Sequence, residues 1–287
     1  MKKTLTLIAI LSFILTGCSC STKDKNYNET EITDQNTLLT TYLDKPSAGR
    51  PKSQEPINNI FIALNILKEA TYYESNASGE IIAKKGSLKL ATQNLETRRT
   101  ITPSATFNES VSVSTFVKIA EQLYITDNEV LKRDASKVSS SDVSWKNSVT
   151  KLSTSKYLEQ YGYSAKEPSR YIINEESIIS DIEITNNGIG RKFTYKFKLD
   201  PTISTYYYKT GVKSLSNSSS YPKFKSIEME MTFDYKWRMT KIKVDEVYDI
   251  TISGLGSVTC HANIIETFKN INKVVSINEE SFFKSKL

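Results

Sequence analysis

The chain has one histidine, His261, and it follows Cys260 in a run where apolar and polar residues alternate. Successive side chains on a strand point to opposite faces. Cys260 is therefore expected in the core and His261 at the surface, which rules the pair out as a nucleophile–base dyad. A single histidine supplies no His pair for a zinc site. No G-x-S-x-G elbow is present to raise a serine nucleophile on a strand-to-helix turn. Gly188-Ile189-Gly190 and Gly254-Leu255-Gly256 lack the third glycine of a dinucleotide loop and read as turns. The carboxylate pairs Glu175-Glu176 and Asp245-Glu246 read as surface features. A carboxylate-only hydrolase is the weakest of three functional readings. The expectation is a non-enzymatic chain without cofactor or metal.

Chemistry of a different kind is written at the N-terminus. Lys2 and Lys3 precede an apolar run from Leu5 to Leu15, which ends in Leu15-Thr16-Gly17-Cys18. A basic start, a short apolar core and small residues at the cut make a secretory signal. The run falls short of the roughly 20 apolar residues that cross a bilayer. Gly17-Cys18 resembles the lipobox of bacterial lipoproteins. That resemblance implies a diacylglyceryl group on the Cys18 thiol and cleavage that leaves Cys18 first. Two acyl chains hold a protein on a membrane where one would not. The expected location is the extracytoplasmic face of the cell membrane, with the lipid on Cys18 as the membrane partner.

Composition narrows the remaining readings. The net charge is +6 and becomes +4 without Lys2 and Lys3. Basic and acidic residues are well mixed, which argues against nucleic acid, where a clustered basic face is expected. Three cysteines include the anchor, and a Cys20–Cys260 disulfide is open to an exported chain. Tyr and Phe are plentiful (16 and 11), and the abundance of Ser, Thr, Ile and Tyr favours sheet.

The elements follow from periodicity. Residues 1–17 are the signal peptide. Residues 18–55 are the lipidated N-terminus and a polar tether, expected to be disordered because it buries little. The domain spans 56–272, with a tail at 273–287. Ile57, Ile60, Phe61, Leu64 and Leu67 mark a helical face over 57–70. Strands are expected over 71–77 and 81–84, with Ser78-Gly79 as their turn, then over 87–101, 111–119, 123–126 and 130–132. Val111, Val113, Thr115, Val117 and Ile119 share one face of the fourth. A serine-rich loop covers 135–144, and a helix over 148–161 stops at Gly162. Asn186-Asn187-Gly188 signals a hairpin between 178–185 and 192–199. Asp200-Pro201 starts a helix that stops at Gly211.

The strongest period-two signal is 226–238. Ile227, Met229, Met231, Phe233, Tyr235 and Trp237 alternate there with charged and polar residues. Ile242 and Val244, then Val258, Cys260, Ala262 and Ile264, make further inward rows. Lys192, Lys196 and Lys198 can pair across strands with Glu228 and Glu230. One-sided alternation means an antiparallel sheet that is wet on one face. The fold class is α+β: a curved antiparallel sheet, or half-barrel, with helices on its concave face. Its two strand-rich halves are either one sheet or two lobes.

This architecture resembles the LolA–LppX-like lipoproteins over residues 57–270. The features that carry the resemblance are the Leu15-Thr16-Gly17-Cys18 motif, the apolar helix 57–70, the charged-out strand 226–238 and the 193–201 strand ending in Leu199-Asp200-Pro201. It implies an apolar cavity between sheet and helices for a lipid or acyl chain. The inward rows give the candidate lining: Phe193, Tyr195, Phe197, Met229, Met231, Phe233 and Tyr235. The expected function is binding or carrying a lipid or other apolar ligand. The alternative is an interaction module for an envelope, cell-wall or host protein, with no particular protein partner indicated.

Overall fold

The computed structural model describes residues 56–287 apart from 115–117, 140–141, 163–166, 168, 188–191, 217, 219 and 253–255. The signal peptide, Cys18, Cys20, the tether, Thr115, Val117 and the glycines 188, 190 and 254 lie outside the described residues. Helix α1 (Pro56–Lys68) starts on Pro56, whose fixed φ suits a first turn. Asn59 through Asn65 and Leu67 are all buried, so the helix is enclosed on most sides. A helix apolar nearly all round belongs inside a core.

Twelve strands form one open antiparallel sheet. The first meander comprises β1 (Tyr73–Lys85), β2 (Leu88–Ile101), β3 (Thr106–Ser114), β4 (Lys118–Ile125) and β5 (Glu129–Val138), with short β6 (Val143–Trp145) and β7 (Thr150–Ser153) both on β5. The second comprises β8 (Glu183–Asn187), β9 (Lys192–Leu199), β10 (Lys223–Phe233), β11 (Met239–Ile252) and β12 (Gly256–Lys269). The two meanders join where β1 pairs β12 from Glu74↔Lys269 to Lys84↔Thr259. The strand-rich halves are thus one sheet and not two lobes. Between the meanders lie α2 (Thr154–Tyr161), α3 (Pro201–Ser204) and α4 (Tyr208–Ser216), and α5 (Glu280–Lys284) is near the C-terminus.

Several expectations need correction. Ser78-Gly79 is not a turn, because β1 runs through it. A Cβ on Gly79 would come within 2.2 Å of the Asn263 carbonyl, so glycine serves close strand approach there. The turn lies at Gly86, with φ +60. On β3, Thr106, Phe107, Ser112 and Ser114 are buried, while Val111 and Val113 are half-buried. Alternation alone does not say which set faces inward, and a one-residue slip exchanges the faces. The 135–144 loop is largely strand, in β5 and β6. The helix expected over 148–161 begins only at Thr154, where Ser153 caps the Lys156 amide; Gly162 closes it in the left-handed region. Asp200 caps α3 as expected, but Gly211 lies inside α4 and does not end it.

The period-two pattern of 226–238 also outruns its strand. β10 ends at Phe233, and Asp234 closes a loop by accepting from the Lys236 and Arg238 amides at 2.8 and 3.1 Å. Trp237 adopts φ 59 and folds back into the core, whereas Tyr235 is 46% exposed and does not face inward. Elsewhere the rows hold. Tyr195, Phe197, Leu199, Met229, Met231, Phe233, Val258 and Cys260 all join the cluster around α1. Lys196 pairs Glu228 at 2.9 Å on the outer face.

That outer face is not wet throughout. Ile277 and Phe283 cover Phe107, Tyr124 and Leu131 in a second cluster on the far side of the first meander. Phe283 stacks on Tyr124 at 5.3 Å, and Arg98 holds Glu279 at 2.6 Å. The segment set apart as a tail is therefore a packed strap.

Candidate functional site

Between the sheet and the helical segments is a cavity of about 200 Å³. Small inward residues on neighbouring strands leave the space. Ala77 of β1 pairs Thr97 of β2, which pairs Ser110 of β3. Gly79, one inward position along, adds no side chain. Beside this floor stands an apolar wall that includes Ile81, Leu95, Met229, Val244, Ile250 and Ile264. Polar residues share the lining, among them Arg99, Asn108, Glu121 and Glu266.

The roof comes from α2, the segment at 169–171 and α4. Tyr157 and Tyr161 stack at 4.4 Å over Leu123, Ile125 and Val130. Tyr171 and Tyr208 meet edge to face at 5.2 Å. Two glycines let α2 and α4 approach. A Cβ on Gly211 would stand 2.8 Å from the Tyr161 carbonyl, and one on Gly162 would stand 2.3 Å from that of Tyr207. Gly162 also holds φ +83, where side chains are strained.

One carboxylate ties this roof to the sheet. Glu246 occupies an inward position of β11, among Ile242, Val244, Tyr248 and Ile250, and is 2% exposed. It is not the surface residue its pairing with Asp245 suggested. Tyr171 donates its hydroxyl to Glu246 at 2.8 Å and Tyr208 does so at 3.1 Å. Burial pushes the Glu246 carboxyl up from its ordinary value, against the pull of Arg170 and the two phenols. Arg170 lies over the Tyr208 ring at 5.0 Å.

A second buried carboxylate stands at the other end. Glu121 is paired with Lys132 at 3.2 Å and accepts from Tyr161 at 3.5 Å. Burial lifts it to about 7, with Lys132 opposing. Cys260 also lines the cavity, and burial pushes its thiol up to about 12, which leaves it unreactive. His261 is exposed on the other face. Among the described residues, no three His, Cys, Asp or Glu side chains are placed to hold a metal ion.

Of the aromatic and methionine positions singled out in the sequence, Met229 lines this cavity. Tyr195, Phe197, Met231 and Phe233 are buried in the cluster around α1, where Asn59 donates to the Tyr195 hydroxyl at 3.0 Å. Phe193 is half-buried and stacks on Trp237 at 5.3 Å. Tyr235 sits in the exposed loop. Sequence reasoning missed Glu121, Glu246 and the roof tyrosines. The available signal was a charge at an inward position of a period-two row.

No family model and no curated protein match the chain. Solved structures give only slight likenesses. The ywiB protein of Bacillus subtilis aligns over 69% of this chain and 92% of its own at 8% identity, with a TM-score of 0.20. MucB in complex with MucA(peri) aligns over 72% and 92% at 4% identity, TM-score 0.14. An N-terminal dehydratase from the difficidin assembly line covers 74% and 82% at 8% identity, TM-score 0.14. At these scores none of them carries an argument about this chain.

Proposed function

We propose that the chain is a lipoprotein anchored through Cys18 on the extracytoplasmic face of the membrane, and that its half-barrel holds one compact amphiphilic ligand without covalent chemistry. The observation that carries the reading is the cavity between sheet and roof, whose lining combines apolar and polar side chains. Its size narrows the ligand. An apolar cavity of about 150 Å³ accepts benzene, and drug-sized sites span roughly 300–1,000 Å³. About 200 Å³ suits a single short acyl chain or one ring and excludes a two-chain lipid in this conformation. Arg99, Asn108 and Glu121 would meet the polar end, while Leu95, Val244 and Ile264 would meet the chain.

Displacement of a fluorescent apolar dye by octanoate or decanol tests this, with a two-chain phospholipid as comparison. The single-chain compounds are expected to compete, and Val212→Trp, which fills the cavity from α4, to abolish the competition. Equal competition in a folded Val212→Trp protein would overturn the site. Anchoring is tested separately: radiolabelled fatty acid is expected in the wild type and not in Cys18→Ala, and equal labelling would remove the anchor.

A second reading, an interaction module for an envelope, cell-wall or host protein, draws on exposed Ile179 and Ile184 beside the edge strand β8. A chain that binds no small amphiphile favours it.

A further inference from the structure

We propose that the outer surface of the cavity roof, from α4 to the start of β10, docks on a bilayer surface that bears anionic headgroups. Residues 201–225 contain four lysines and no aspartate or glutamate. Some lysines elsewhere on the sheet are set against carboxylates. Lys196 meets Glu228 at 2.9 Å, and Lys243 meets Asp245 at 3.0 Å. Within 201–225, Asp249 reaches in to pair Lys225 at 2.8 Å. Lys209, half-buried, and Lys213 lie over tyrosine rings. Lys209 Nζ is 4.8 Å from the Tyr206 centroid, and Lys213 Nζ is 4.0 Å from that of Tyr221. Lys223 is exposed.

Lysines interleaved with tyrosines suit a membrane interface. The ring sits at headgroup depth, and the ammonium meets phosphate. The positive charge is also local, which an anionic surface rewards and a neutral one does not. α4 has two sides. Tyr208, Gly211 and Val212 line the cavity. Lys209 and Lys213, four residues apart, form a separate stripe. The proposal rests on the anchored, ligand-holding reading for its setting, and its chemistry stands on the lysines and tyrosines alone.

The test uses the full chain, purified in detergent and mixed with vesicles of phosphatidylcholine, with or without added phosphatidylglycerol. Amide hydrogen exchange is followed after flotation. Each lysine at an anionic surface strengthens association about fivefold. Exchange in 206–213 and 221–225 is expected to slow at least about fivefold on the anionic vesicles only, and to recover in high salt. Lys213→Glu with Lys223→Glu should abolish the slowing in a protein that still unfolds cooperatively, and the paired Gln variant, which sets no like charge opposite Asp249, should give an intermediate result. Equal exchange on both vesicles, or slowing that survives the charge reversal, overturns the docking surface. The anchor fails separately, as loss of flotation with neutral vesicles while anionic vesicles still bind. Flotation with neither overturns both.

Discussion

At the scale of single residues, the buried carboxylates make the sharpest demands. Glu121 has a folded-state pKa of about 7 because burial outweighs the attraction of Lys132. The unfolded carboxyl titrates near its ordinary value of about 4.3. The folded chain therefore binds the extra proton between those limits. The stability attached to it is full below the unfolded value and is lost as pH rises through about 7. The size is roughly 4 kcal/mol at most. Glu121→Gln carries a permanently neutral group of the same shape. Its denaturation curves should lack this loss, so that wild type and variant converge near pH 4 and separate by pH 8. A constant difference between them across that range would contradict the assignment. Glu246 belongs to the same class, with its tyrosine donors supplying charge-assisted bonds.

The elements show what patterning can and cannot reveal. Helix α1, the β8–β9 hairpin and the inward rows of β9 to β12 are legible because period and composition agree there. The bend after Phe233 is not. Asp234 ends the strand through bonds from its own side chain, and alternation carries on past it into Trp237. Gly79 and Gly211 were both misread as breaks. A glycine needed for close packing looks like a glycine needed for a turn until its neighbour is known. The cavity was hidden for a similar reason. It is defined by small residues, Ala77, Thr97 and Ser110, on strands that come together only after folding. The large apolar residues of the inward rows mark filled core instead. Gly211 allows a direct check at this scale. Its Cβ would stand 2.8 Å from the Tyr161 carbonyl, so Gly211→Ala must push α4 away from α2. Overpacking of this kind costs about 1–3 kcal/mol. A fall of that order in unfolding free energy is expected, together with faster exchange of amides in 157–161 and 208–213. A variant as stable as wild type would show that α2 and α4 do not meet so closely.

At the scale of the whole molecule, the first and last strands of the described residues do the joining. β1 and β12, near the start and end of the described domain, pair along their length and convert two local meanders into one sheet. These are the contacts most distant in sequence, and loop closure makes such contacts slow to form. The strap after β12 then crosses to the outer face of the first meander, where Phe283 meets Phe107 and Tyr124. The first and last parts of the described residues thus hold each other in place. Phe283 is fully buried, so Phe283→Ala should cost about 3–5 kcal/mol as a core truncation. Deletion of 273–287 should do more, since it uncovers Phe107, Tyr124 and Leu131 together and removes the Glu279 partner of Arg98. The expected signs are a lower melting temperature and new binding of an apolar dye at the exposed patch. Ligand affinity per folded molecule should change little, because the strap lies on the opposite face of the sheet from the cavity. Measuring unfolding and decanol binding on Phe283→Ala separates these effects. Loss of binding in step with stability would mean that the strap also shapes the cavity. A stable Phe283→Ala protein would mean that the outer cluster is not a core at all.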